Sequence, residues 1–217
     1  MNEVTQVTYG KGVITAHMNS TSGTEVAAPT IRFGDYQKSL EACFSDKELA
    51  LIENGSHAVV NLDFHMVDSI VDAYEHEQFR KAIAFEEKTY GTLHEGVFIE
   101  VEASRSVDGK EYTEFDSLFE IVEIQIDVPL YLCAENRQFY IMNSDKGECV
   151  LSGDVDQEAD TLSISTHELT TALLLYQDHD EMLKKTTNRL QIKAQYIIAG
   201  GIALLVLVWF ILDRRHK

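Results

Sequence analysis

The chain has 217 residues with 18 Lys and Arg against 36 Asp and Glu, and residues 184–217 alone hold seven basic residues and one acid, so the residues before them carry −24. So acidic a surface repels nucleic acid and anionic lipid, which excludes both as partners of that part. Cys43, Cys133 and Cys149 form no close-set metal pattern; Cys133 and Cys149 could meet across neighbouring strands, though small buried side chains are the plainer role.

The start, MNEVTQVTYGKGVITAH, lacks the basic head and continuous apolar run of an export signal. Strand-like alternation then runs through Val4, Val7 and Tyr9, through Val13, Ile14 and Ala16, and through Ile31 and Phe33. Turn-forming breaks fall at 10–12 and 19–23. These are two or three short strands, and residues 1–38 could close a preceding domain.

Ser45-Asp46-Lys47-Glu48 is a capping box, in which the Ser45 hydroxyl accepts from the amide three residues on and Glu48 reaches back. Leu49, Leu51 and Ile52 follow, and Asn54-Gly55 offers a left-handed stop to this short helix. From His57 to Met66 the period is two, with Ala58, Val60, Leu62 and Phe64 on one face and His57, Val59, Asn61, Asp63 and His65 on the other. Residues 69–88 predict a second helix, since Ala73, Phe79 and Ile83 or Ala82 recur at helical spacing among charges.

Alternation returns with Val97, Ile99, Val101 and Ala103 against Phe98, Glu100, Glu102 and Ser104, and Asp108-Gly109 makes a tight turn. It repeats from 119 to 128, where Val122, Ile124, Ile126 and Val128 share a face until Pro129 ends the strand. Residues 138–142 and 148–151 flank Asp145-Lys146-Gly147 as a hairpin, and 161–165 alternates again. TTALLLY at 170–176 fits a buried strand and a helix segment equally well.

The segment at 196–212, YIIAGGIALLVLVWFIL, has seventeen residues and no charge. At helical rise it spans roughly 25 Å, near the lower limit for a bilayer core. Tyr196 and Trp209 lie near its ends, where amphipathic rings favour the headgroup zone, and Arg214, Arg215 and Lys217 follow it. A buried core helix is rarely apolar on every side, so the reading is a single transmembrane helix. Lys184, Lys185, Arg189 and Lys193 lie before it, so positive charge flanks both ends and leaves the orientation open.

Many strands at short spacing with two inserted helices point to a mainly β fold, a β-sandwich rather than βαβ units. The order of elements also carries a resemblance. SLEACFS at 39–45 leads into Glu48, Leu51 and Gly55; AVVNLDF, VFIEVEASRSVDGKEYTEF, VEIQIDVP, RQFYIMNSDKGE and TLSISTHELTTALLLYQD follow. This string, over roughly 39–178, resembles a domain of large cell-surface proteins of Gram-positive, Firmicutes-type bacteria, placed just before their C-terminal membrane anchor. The resemblance implies an extracellular immunoglobulin-like module acting as a spacer, with TTALLLY as its closing strand. Two departures stand against the family pattern: the start has no export signal, and KTTNRLQIKAQ at 185–195 holds no sortase motif. The expected organisation is then a β-sandwich over 39–178, a juxtamembrane stalk over 179–195, a transmembrane helix over 196–212 and a basic tail over 213–217.

Candidate chemistry is sparse. Asp154, Asp156, Glu158 and Asp160 place oxygens at alternate positions like the first half of a calcium loop. Ala159 stands where that loop needs Gly and Ser165 where it needs Glu, so a solvated acidic turn is the plainer reading and no metal is expected. His76 between Glu75 and Glu77, and His179 beside Asp178 and Asp180, read as ordinary exposed histidines. His57 and His65 share a strand face but lie roughly 26 Å apart on an extended strand, too far for one ion. There is no G-x-S-x-G elbow, Gly-rich phosphate loop or H-E-x-x-H helix, and the only tryptophan lies in the apolar segment. The expectation is a non-enzymatic, single-pass surface spacer without cofactor, whose partner is the lipid bilayer through its C-terminal helix. The alternative is an intracellular tail-anchored adaptor that recruits a basic protein to the membrane.

Overall fold

Period-two alternation dominates the chain, and strands form wherever it runs. The computed structural model describes residues 2–25, 27–145, 148–155 and 160–178. In order these form β1 (Asn2–Tyr9), β2 (Gly12–Ser22), β3 (Ile31–Phe33), α1 (Tyr36–Glu41), α2 (Asp46–Glu53), β4 (His57–Val67), α3 (Ala73–Tyr90) and β5 (His94–Val107). After them come β6 (Thr113–Glu114), β7 (Ser117–Asp127), β8 (Arg137–Asp145), β9 (Glu148–Gly153), β10 (Thr161–Glu168) and β11 (Ala172–Asp178). The protein is mainly β, as the alternation predicts. The expected stalk, apolar span and basic tail lie outside the described residues, as do Lys146 and Gly147 of the hairpin turn. Among the described residues no helix is long and apolar enough to cross a membrane.

The larger sheet has the order β1-β2-β4-β5-β11-β8-β9 with β6 paired to β5, and the smaller has β10-β7-β3. β2 and β4 run parallel, from Val13 opposite His57 to Ser22 opposite Met66, so residues before 38 share a sheet with those after it. Parallel neighbours need a crossover. The chain makes it by placing β3 in the smaller sheet and then turning through α1 and α2. Asp35 caps α1, an element the periodicity did not reveal, by accepting from the Lys38 amide at 3.1 Å. Ser45 and Glu48 form the expected capping box on α2, and Gly55 leaves it at φ 118°.

β4 and β5 pair antiparallel, and α3 lies between them in sequence. Asp72 starts α3 by accepting from the amides of Tyr74 and Glu75 at 2.8 and 3.0 Å. The helix buries Phe79 and Ile83 on the larger sheet among Phe98, Tyr140, Met142, Leu173 and Leu175. On the opposite face of that sheet, Phe64, Val97, Ile99 and Leu174 share a core with Ile31, Val122, Ile124, Ile126, Leu162 and Ile164 of the smaller sheet. Small sheet, large sheet and α3 are therefore stacked layers.

TTALLLY belongs to a strand. Ala172 to Leu175 are all buried because β11 sits between β5 and β8, covered by the small sheet on one side and by α3 on the other. Phe98, which alternates with apolar positions and so groups with Glu100, is buried too, its ring 5.5 Å from that of Phe79. The cysteines are free: Cys43 and Cys133 pack with the inter-sheet core and Cys149 with the α3 core.

Candidate functional site

β5 needs two partners to cover one of its edges. β11 pairs with its first half, up to Ala172 opposite Ile99, and β6 with its second half, at Glu114 opposite Ser104 and Thr113 opposite Arg105. Between them the chain changes sheets. It leaves beside β5 at Asp116, runs through β7, and comes back along β10, whose Glu168 lies opposite Ser117. Three backbone bonds hold the rims of this opening: Phe115 N–H to Ala103 O at 3.0 Å, Leu169 N–H to Asp116 O at 2.7 Å, and Ser144 N–H to Thr171 O at 3.0 Å. Among the described residues, Glu100 to Glu102 have a strand neighbour on the β4 side alone.

A cleft of about 700 Å³ lies at this opening. Asp63, Glu75, Glu102, Glu114 and Asp116 bring five carboxylates to its lining, with the hydroxyls of Ser104, Ser144, Thr170 and Thr171. Among the described residues no Lys, Arg or His lines it. The outward face of β5 is apolar at Phe98, where α3 covers it, and changes to Glu100, Glu102 and Ser104 farther along. Asp63 lies directly opposite Glu102 across β4 and β5, an arrangement of like charges that costs stability. Asn19 offsets part of it by donating to Asp63 at 3.2 Å. The Thr170 hydroxyl oxygen is buried without a hydrogen-bond partner among the described residues. Thr170 also borders a second cavity of about 30 Å³ between the two sheets.

The carboxylates are spread out and do not converge. Among the described residues no three His, Cys, Asp or Glu side chains are placed to hold one metal ion. The cleft can therefore attract distributed positive charge.

The structure sends the sequence-derived candidates elsewhere. Asp154 accepts from the Ser163 amide at 3.0 Å, and the Asp160 carbonyl accepts from the Val128 amide at 2.8 Å, so both brace strand ends. Asp156 and Glu158 lie outside the described residues, as do His179 and the anchor residues Tyr196, Trp209, Arg214 and Arg215. His57 Nε2 lies 3.0 Å from the Thr15 hydroxyl and His65 Nδ1 2.8 Å from that of Thr21, so both histidines stitch the parallel seam. The His76 ring packs 5.7 Å from Phe98.

The acidic cleft escaped sequence reading because its members come from β4, α3, β5, β6 and the residues just after β6. Glu102 by itself looks like one polar tooth on a solvated strand face. The available signal was the repetition of acids at Glu100 and Glu102 and again at Glu114 and Asp116.

Compared with protein-family models, with curated proteins and with solved structures, the chain gives no significant match to any.

Proposed function

We propose that the protein is a non-enzymatic, membrane-anchored surface module that holds more distal domains away from the bilayer. The observation that carries this reading is the seventeen-residue uncharged segment at 196–212, which follows a strand-rich domain and is closed by Arg214, Arg215 and Lys217. In this reading the helix spans the cell membrane once, the β domain faces outward, and the basic tail stays in the cytoplasm. Two sheets sharing one apolar core support an immunoglobulin-like β-sandwich as the finer description. Such a sandwich would have to accommodate the parallel β2–β4 pair and the α3 excursion between β4 and β5. The residues of the Firmicutes-type resemblance include those of β4, β5, β7, β8, β10 and β11, the strands that build most of both sheets.

Protease treatment of intact cells tests the proposal. Loss of the β domain with retention of a short membrane-bound C-terminal fragment is the expected result; survival of residues 1–190 would sink it. The acidic cleft favours a second reading, a tail-anchored adaptor facing the cytosol and recruiting a basic protein. Survival in intact cells with digestion after permeabilisation is what that reading requires.

A further inference from the structure

We propose that the cleft beside β5 receives an extended, cationic segment of another polypeptide, which fills the interrupted lane between β11 and β6. The inference goes beyond the spacer reading and does not depend on which side of the membrane the domain faces.

The backbone supplies the first argument. From Ile99, paired with β11, to Ser104, paired with β6, the lane runs about 16 Å at strand rise. Residues two apart in a strand turn their N–H and C=O to the same side. Ala103 uses its carbonyl on the lane side to accept from Phe115, so Val101 presents its own N–H and C=O there. Val101 lines the cleft, and among the described residues no strand partner meets it on that side. An incoming extended chain can exchange backbone hydrogen bonds at this place, as in strand addition to a sheet edge.

Charge selects the occupant. Five carboxylates line the cleft, no basic side chain lines it among the described residues, and Asp63 faces Glu102 across the strands. A single metal ion does not answer that layout, since among the described residues no three ligands converge. An extended segment does. Side chains at alternate positions lie about 7 Å apart on one face, so successive Lys or Arg can reach different carboxylates while the backbone lies along β5. Thr170 lines the same wall, and its hydroxyl oxygen has no hydrogen-bond partner among the described residues.

The test uses the full chain in neutral detergent micelles and a labelled, end-blocked pentapeptide, Lys-Thr-Lys-Thr-Lys, whose extended length of about 16 Å matches the lane, followed by fluorescence anisotropy. Saturable binding with one peptide per protein is expected, weakening about tenfold or more as salt rises from 50 to 500 mM. A peptide of equal charge with Pro replacing two Thr should bind about fivefold more weakly, because it cannot complete the backbone bonds. The Glu102→Gln, Glu114→Gln double variant should lose about fivefold in affinity with an unchanged or raised Tm, since it also removes repulsion. Asp116→Asn is the second variant, expected to weaken binding in the same direction should the first lower Tm. Absence of saturable binding overturns the proposal. So does equal affinity for the Pro peptide, which would mean charge alone, or full affinity in the folded variants. Protease accessibility on cells is a separate measurement, so either proposal can fail alone.

Discussion

Arg105 ties β5 to the helical crossover, and its removal should cost a definite amount. Its Nε lies 3.2 Å from Glu48 Oε1, and its guanidinium sits 5.0 and 5.3 Å from the ring centres of Phe115 and Phe119. The side chain is only 13% exposed. Arg105→Met keeps the aliphatic body and removes the charge. A hydrogen bond to a charged group is worth about 1.5–3 kcal/mol, and each ring contact about 0.5–1 kcal/mol. These contributions share one cation and do not add fully, and Glu48 stays satisfied because its Oε2 still accepts from the Ser45 amide and hydroxyl at 2.8 and 2.7 Å. The expected loss is about 2 kcal/mol, a Tm decrease of about 4–8 °C for a domain of this size. Urea unfolding in detergent should show a lower midpoint with the same slope. The Glu48→Gln double-mutant cycle should return a coupling of about 1 kcal/mol.

The pH dependence of that loss has a definite sign. Burial pushes the Glu48 carboxyl up, but hydrogen bonds from Ser45 and the nearby Arg105 outweigh it and hold the group below the usual glutamate value. A carboxyl whose folded pKa is depressed adds stability above its unfolded pKa and loses it as pH falls through the folded one. The Arg105→Met penalty should therefore be full at neutral pH and shrink in acid. A loss under about 0.5 kcal/mol at pH 7, or a coupling near zero, would refute the bridge as a working contact.

Phe79→Ala should cost about 3–5 kcal/mol by thermal or urea melting, because the fully buried ring packs edge-on against Phe98 beneath α3. Gly12→Ala should cost about 2 kcal/mol or more on the same assay. A Cβ there would come within 2.2 and 2.3 Å of the carbonyl oxygens of Ile52 and Ser56, which are backbone and cannot swing aside. Burial pushes the Cys43 thiol up to about 12, so it should resist Ellman's reagent at pH 8 until denaturant is added, while half-buried Cys133 and Cys149 react slowly in the native protein. Three thiols titrating at once in the native chain would contradict this packing.

Local chemistry was legible wherever it is carried by neighbours in sequence. The capping box at Ser45 and Glu48, and the turn at Asp108-Gly109 with φ of 55° and 67°, depend on residues a few positions apart. The buried face of β4 was equally plain, since Ala58, Val60 and Leu62 are fully buried at period two. Period shows which residues share a face but not which strand lies alongside. The parallel pairing of β2 with β4 was therefore hidden, and so was the path of β7 and β10 into a second sheet. The central place of β11 explains why its pattern was mute: with apolar layers on both faces, alternation is erased. The cleft was the hardest to see because it is an effect of that sheet crossing, assembled from carboxylates that only the fold brings together.

Several arginines already serve as braces, which sharpens the charge argument for the cleft. Arg32 pairs with Asp127 at 2.7 Å, joining β3 to the end of β7 in the small sheet. Arg105 holds Glu48, and Arg137 donates to the Leu132 carbonyl at 2.7 Å with its guanidinium 3.9 Å from the Tyr176 ring centre. None of these cations lines the cleft, so its like charges are left facing one another. A ligand that neutralises them binds the folded state only, because the unfolded chain does not assemble them. Binding must then raise stability, by about 2.7 kcal/mol at a hundredfold excess over Kd. That corresponds to a Tm increase of about 5–10 °C for a domain of this size. The lysine-alternating peptide should therefore protect the domain from heat more than an equal charge of free lysine does, and the excess protection should vanish in the Glu102→Gln, Glu114→Gln variant. Equal protection by free lysine would mean that the cleft screens charge without recognising an extended chain.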